Sequence, residues 1–191
     1  FMPWPLGSLP YSVAVYPLIW SCTVVVEEFS RVCGGLMLLL SAHHLGCMPL
    51  ILSGKRKMIL GPLRNIYRDN LNGIPHLAAF AITEPQAGSD VEDGLGASLY
   101  RPGVVATPTA GGYLLNGRKT FISGGDLAQS LTVFAALDGE GMDSWTCFYV
   151  KTPTKGFKVA RTELKMGMRA SGAAELEFND VFVPEHDVVG G

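Results

Sequence analysis

The sequence predicts an α+β protein, with an N-terminal α-helical region over residues 1–75 followed by an antiparallel β-barrel or sandwich over residues 76–191. Three observations carry this reading. From Val13 to Leu52 apolar residues continue for the length of a long helix. From Leu77 onward the texture changes to short apolar runs separated by Gly, Pro and Asn turns, with no helical period between them. A chain of 191 residues, 48% apolar and 17% charged, has the composition of a globular protein and the length of one full domain plus part of another.

Residues 1–12 are rich in Pro and Gly and read as an irregular lead-in. In the helical stretch Ile19, Val24, Val25, Phe29, Val32, Leu36, Leu39, Leu40 and Leu50 fall on most faces, so burial on nearly all sides is expected. Gly34-Gly35 and Gly46 either permit close helix approaches or mark a break. Ser53-Gly54 and the basic cluster Lys55-Arg56-Lys57 lead to a second segment, Met58 to Asn70, and the turn cluster Leu71 to Pro75. These helices carry more apolar surface than they can bury among themselves, so they are expected to pack against elements outside this chain. Residues 9–26 are apolar enough to suggest a membrane span, but Pro10 and Pro17 interrupt them and Glu27-Glu28 close them. The expectation is a buried segment in a soluble protein, and the absence of Lys and Arg before Phe29 argues against a secretory leader.

Strands are expected at 77–83, 97–107, 112–115, 118–123, 130–137, 145–150, 157–161, 173–178 and 181–183. Gly111-Gly112 and Asn116-Gly117 read as hairpin turns between them. Asp138 to Gly141, Thr152 to Gly156 and Gly167 to Gly172 read as further turns. The net charge of −2 and scattered basic residues give no nucleic-acid footprint. Cys22, Cys33, Cys47 and Cys147 lack metal-site spacing, so no zinc is expected. Neighbouring His43 and His44 point about 100° apart on a helix and suit capping or packing better than joint metal ligation.

Two stretches could carry chemistry. In Phe80-Ala-Ile-Thr-Glu-Pro-Gln-Ala-Gly-Ser-Asp90 a short strand is broken by Glu84-Pro85 and followed by small residues. Backbone amides and the hydroxyls of Thr83 and Ser89 can then approach a phosphate or a flat ring without bulky side chains in the way. In Asn116-Gly-Arg-Lys-Thr-Phe-Ile-Ser-Gly-Gly125, strand alternation puts Phe121 and Ser123 on one face. A ring could pack on the first while the second reaches a heteroatom. Glu84, before a proline, reads as structural. A third stretch, Glu163 to Ser171 followed by Glu175 to Pro184, supplies turns and final strands.

The first stretch resembles the flavin-binding signature of the acyl-CoA dehydrogenases, aromatic-x-x-Thr-Glu-Pro-x-Ala-Gly-Ser-Asp. The second resembles that family's Asn-Gly-x-Lys-x-aromatic-Ile-Ser/Thr segment, with phenylalanine where many members have tryptophan. The third resembles the end of the same β domain, and the resemblance extends loosely over the helices. It implies FAD lying across the β domain, held by Phe80, Ile82, Thr83, Gly88, Ser89, Phe121, Ile122 and Ser123, with Ser89 also beside the acyl-CoA substrate. It implies dehydrogenation of an acyl-CoA to an enoyl-CoA, with electrons passing to an electron-transfer flavoprotein or similar acceptor. It further implies a homo-oligomer in the cytoplasm, or in the mitochondrial matrix of a eukaryote. The family's carboxylate base belongs to a further helical domain after the β domain, so no catalytic residue is assigned here, and a C-terminal helical domain or partner subunit is expected to supply it. A non-catalytic binding module or relic, and a flavin oxidase or monooxygenase of the same fold, are the alternatives.

Overall fold

The computed structural model describes residues 18–88, 103–138 and 142–190. Helix α1 (Leu18–Leu52) bends at Cys33, where φ −160° and ψ 109° leave the helical region. The glycine pair beside the bend serves close approach as well: a Cβ on Gly35 would lie 2.9 Å from both N and Cβ of Ala170. Gly46 brings α1 onto the first strand, since a Cβ there would lie 2.7 Å from the carbonyl carbon of Ala78. The helix ends where Ser53 N–H donates to the Pro49 carbonyl at 3.0 Å and Gly54 takes φ +63°.

Residues Arg56–Met58 and the wider π-type turn Ile59–Leu63 lead into helix α2 (Arg64–Leu71). Asn70 closes the turn that follows. Its Nδ2 donates to the carbonyls of Ile66 and His76, at 3.0 and 2.9 Å, and its Oδ1 accepts from His76 N–H at 3.0 Å.

Eight strands follow: β1 (Ala78–Ala81), β2 (Val105–Thr109), β3 (Gly112–Ser123), β4 (Ser130–Leu137), β5 (Thr146–Lys151), β6 (Phe157–Thr162), β7 (Ala173–Pro184) and β8 (Val188–Gly190). They form one sheet in the order β6-β7-β3-β2-β4-β5-β8, with β1 paired to β4. The sheet is mostly antiparallel, but β1 and β2 each run parallel to β4. It curls around one core, so that Tyr113 of β3 and Phe148 of β5 meet edge-on at 5.3 Å although two strands separate them in the sheet order. Alternate residues such as Leu115, Leu131, Val133, Phe148, Leu176 and Val181 fill that core completely buried. Each such side chain contributes roughly 1.5–3 kcal/mol by leaving water. Among the described residues no helix longer than a single turn interrupts the β region before Pro184.

The strand boundaries differ from expectation in one instructive place. Asn116-Gly117 is not a hairpin turn, and 112–115 and 118–123 are one continuous strand, β3. Nor are 173–178 and 181–183 separate, since both belong to β7. The glycine sits at a β-bulge, with φ +133°, because the backbone of residues 103–104 crosses there: a Cβ on Gly117 would lie 2.2 Å from the Gly103 carbonyl oxygen. Gly111-Gly112 does close a hairpin, joining β2 to β3. Of the expected strand 97–107, residues 97–102 lie outside the described residues, and β8 had no signal of its own.

The helices lean on one side of the sheet through a second core of Cys47, Leu50, Met58, Ile66, Ala78, Cys147 and Tyr149, among others. Burial there pushes the thiols of Cys47 and Cys147 up to about 12. The other face of α1 stays open, with Val32 86% exposed. A groove of about 630 Å³ runs along it, walled by Phe29, Cys33, Leu36, Leu39, Ile74 and Leu77. The surplus apolar surface expected of these helices is therefore on view. By length and composition Thr23–Leu52, at a mean hydropathy of 1.6, could cross a membrane; here the helix packs on β1.

Candidate functional site

The site is built where β1 ends beside the bulged end of β3. Beyond Ala81 the chain runs on through Ile82 and Thr83, and the Thr83 carbonyl accepts the Thr120 N–H at 2.9 Å. A narrow turn follows, with Glu84 N–H donating to the Ala87 carbonyl at 2.9 Å and Pro85 and Gln86 exposed at its tip. It returns Gly88 to Thr83: a Cβ on Gly88 would lie 3.9 Å from Thr83 Cγ2, ordinary contact distance. Thr83 and Gly88 are thus adjacent, and Phe121 follows directly on the residue bonded to Thr83. Ser89 and Asp90 lie outside the described residues.

Phe121 is the unusual member. Its side chain is 62% exposed and its φ is +57°, a left-handed conformation that a bulky L-residue rarely adopts. That costs on the order of 1–2 kcal/mol. The cause is a second irregularity in β3: Lys119 pairs with Leu176 and Ile122 with Ala174, so an extra residue is accommodated between them. The bulge turns Phe121 outward, returns Ile122 to the core and leaves Ser123 half-buried on the outer side. Ile122 is fully packed inside, so only its backbone is available to a ligand. Phe80 lies elsewhere, in a second hollow beside Leu45 and Met48 of α1, with its ring 5.1 Å from that of Phe134.

Behind the site lies a buried ion pair. Lys119, with no exposed surface, donates from Nζ to Glu84 Oε1 at 2.8 Å and to the Ile82 carbonyl at 2.9 Å. Glu84 also accepts the N–H groups of Gly103, at 2.5 Å, and Val104, at 3.0 Å. Burial draws the Lys119 pKa down from its ordinary value, and the Glu84 charge and hydrogen bond oppose that. The ammonium also lies 5.5 Å from the centroid of the Trp145 ring. Glu84 is thus structural, as its place before a proline suggests. Lys119 has the parity of core Leu115 and pairs in register with buried Leu176, so it already faces inward before the bulge, which turns Phe121 out.

The two histidines of α1 pack against each other, and His43 against β1. His43 Nδ1 accepts the Ala78 N–H at 3.0 Å, and its ring centroid is 5.5 Å from that of His44. Burial first, then the neighbouring His44 and His76, lower the His43 pKa to about 4. Its proton therefore sits on Nε2.

The arrangement offers an exposed aromatic face beside a small-residue turn that carries Thr83, with half-buried Ser123 two residues along β3. It suits a flat, partly polar ring better than a metal or a charged group. Thr83, Gly88, Phe121 and Ser123 fit a flavin in this respect.

A sequence profile of the acyl-CoA dehydrogenase middle domain matches residues 79–181. The short-chain-specific acyl-CoA dehydrogenase of Clostridium acetobutylicum is 33% identical over 177 residues, a match covering 90% of this chain and 42% of that protein. Among solved structures, an acyl-CoA dehydrogenase of Bacillus anthracis complexed with FAD superimposes with a TM-score of 0.72 at 30% identity, over 87% of this chain and 27% of that one. The prolyl acyl carrier protein oxidase AnaB superimposes with a TM-score of 0.69 at 28% identity, over 82% of this chain and 39% of that one. The chain spans about two fifths of the length of the curated relatives it matches.

Proposed function

The chain belongs to the acyl-CoA dehydrogenase family, and from that premise we propose that it forms the flavin-holding part of an FAD-dependent enzyme converting an acyl-CoA thioester to its enoyl-CoA. The observation that carries this reading is Phe121. An exposed aromatic ring held in a costly backbone conformation, beside the Thr83–Gly88 turn, has no packing role among the described residues that would justify it. As a platform for a flat ring it does.

In this proposal Phe121 packs against the flavin ring system, and the hydroxyls of Thr83 and Ser123 hydrogen-bond its polar edge. Backbone groups of Ile82, Gly88 and Ile122 complete the contact surface, and Ser89, on the family resemblance alone, serves cofactor and acyl-CoA. Phe80, in its hollow beside α1, supports the strand that presents Thr83 rather than the ring. FAD, when bound, supplies an acceptor for the hydride leaving the β-carbon as a base takes the α-proton. Glu84 is committed to Lys119 and two amides, so the base comes from elsewhere. A C-terminal helical domain or partner subunit supplies it and covers the apolar groove of α1. An electron-transfer flavoprotein or similar acceptor reoxidises the complete homo-oligomer, in the cytoplasm or the mitochondrial matrix.

Titration of FAD into the chain, followed by flavin fluorescence, tests the reading. Weak, reversible binding is expected, and it should tighten when the C-terminal helical domain of a relative is added. Absence of binding in both cases would favour a relic of the fold. The likeness to AnaB supports a second reading, an oxidase on the same cradle. Reduction of oxygen by the completed enzyme, without an added acceptor, would favour that one.

A further inference from the structure

We propose that Lys119 and Glu84 form a positioning pair that holds the strained Phe121 platform in register with the Thr83 turn; the inference rests on the flavin-cradle reading. Three pieces of chain that are distant in sequence converge on this pair. Lys119 Nζ spans from the Ile82 carbonyl, at the end of β1, to the Glu84 carboxylate, at 2.9 and 2.8 Å. Glu84 in turn holds the amides of Gly103 and Val104, where the chain crosses Gly117. Lys119 is the last residue of β3 paired in register before the bulge, and Thr120, inside it, bonds the Thr83 carbonyl at 2.9 Å. The ion pair therefore sits at the base of the bulge, and Phe121 projects from its top.

Physical chemistry makes a purely stabilising role a poor explanation. A buried ion pair loses so much hydration that an apolar pair of similar volume is often as stable or more so. What an apolar pair cannot do is fix direction. Lys119 and its acceptors impose distances on the Ile82 carbonyl, the Glu84 turn and β3 together, whereas dispersion contacts tolerate sliding. A left-handed phenylalanine relaxes readily unless its flanks are held. Holding them is the function assigned to the pair. Lys119 is wholly buried behind the site, out of reach of a bound cofactor or substrate, so it is a positioning residue and not a catalytic one.

The test uses the double variant Lys119→Met/Glu84→Gln, which keeps volume and removes both charges, alongside the unaltered chain. Hydrogen exchange resolved to single amides, thermal unfolding and FAD titration are read on both. The expected result is a double variant that folds with little change in melting temperature. Amides of residues 120–123 should exchange about tenfold faster, and FAD should bind about tenfold more weakly, the equivalent of one or two net hydrogen bonds. Unchanged exchange across 120–123 would overturn the proposal. Failure of the double variant to fold would overturn it too, because the pair would then serve the whole fold. Should the unaltered chain bind no FAD even with the C-terminal helical domain of a relative added, the flavin reading fails, and the exchange measurement still decides whether the pair holds the bulge.

Discussion

Asn116 and Asp180 clasp each other across β3 and β7: the asparagine Oδ1 accepts the Asp180 N–H at 2.9 Å, while its Nδ2 donates to the Asp180 carboxylate at 3.0 Å. Both strands are irregular there, with Gly117 at φ +133° and Asp180 at φ +52°. The clasp is exposed and the glycine is not replaceable, so their substitution costs should separate. Asn116→Ala should lose about 1 kcal/mol. Gly117→Ala, driven into the Gly103 carbonyl and unable to keep its dihedral, should lose on the order of 3 kcal/mol. Urea unfolding of the two variants measures the difference; equal losses would refute the crossing at Gly117.

Acidification should weaken the contact of α1 with β1. The folded-state pKa of His43 lies near 4, below the ordinary 6.5, so the folded form prefers the neutral ring. Its contribution is therefore fully present above about pH 6.5 and is lost as pH falls toward 4, because the unfolded chain binds the extra proton. Protonation of Nδ1 also ends its acceptance of the Ala78 N–H. The loss is on the order of 3 kcal/mol over that window. Denaturation midpoints at a series of pH values should fall less steeply in His43→Asn.

Phe121 gives a prediction of unusual sign. Because its ring is exposed and its φ is +57°, Phe121→Gly should stabilise the fold by about 1 kcal/mol while weakening FAD binding. A stability gain accompanied by a loss of affinity marks a residue kept for its ligand. A variant that loses stability would place Phe121 among ordinary packing residues.

Two helical glycines should respond oppositely to alanine. At Gly46 the new methyl would meet the backbone of Ala78 and Ala79, at 2.7 and 2.8 Å, and backbone cannot step aside. Gly46→Ala should cost about 2–3 kcal/mol, the usual range for overpacking. At Gly61 nothing lies within 4 Å of the added carbon. There alanine should add about 0.5–1 kcal/mol through helix propensity alone. Chemical denaturation of both variants in parallel checks the pair.

Much of this architecture was legible in the residues, because the signals were local. The long apolar run of α1, the β texture after Leu77 and the Gly111-Gly112 hairpin follow from periodicity and turn chemistry that neighbours in sequence decide. What escaped depended on contacts across the fold. Asn116-Gly117 has the chemistry of a two-residue turn, yet the crossing of residues 103–104 makes it a bulge. Lys119 lies on the core face of β3, where it meets a carboxylate 35 positions away that no local pattern announces. Phe80 belongs to the matching motif, but its neighbour across the sheet, Phe134, draws its ring toward α1.

The seam between helices and sheet contains its own clock. Cys47 and Cys147 are sealed within it, and with thiol pKa values near 12 almost none of either is thiolate at neutral pH. Cys33, half-buried in the groove wall, is reached from solvent without any such opening. Under an alkylating reagent, with peptides resolved by mass, Cys33 should be labelled promptly. The other two should be labelled together, at the frequency with which the helical layer lifts from β1 and β5. That frequency reports how independently the two layers breathe.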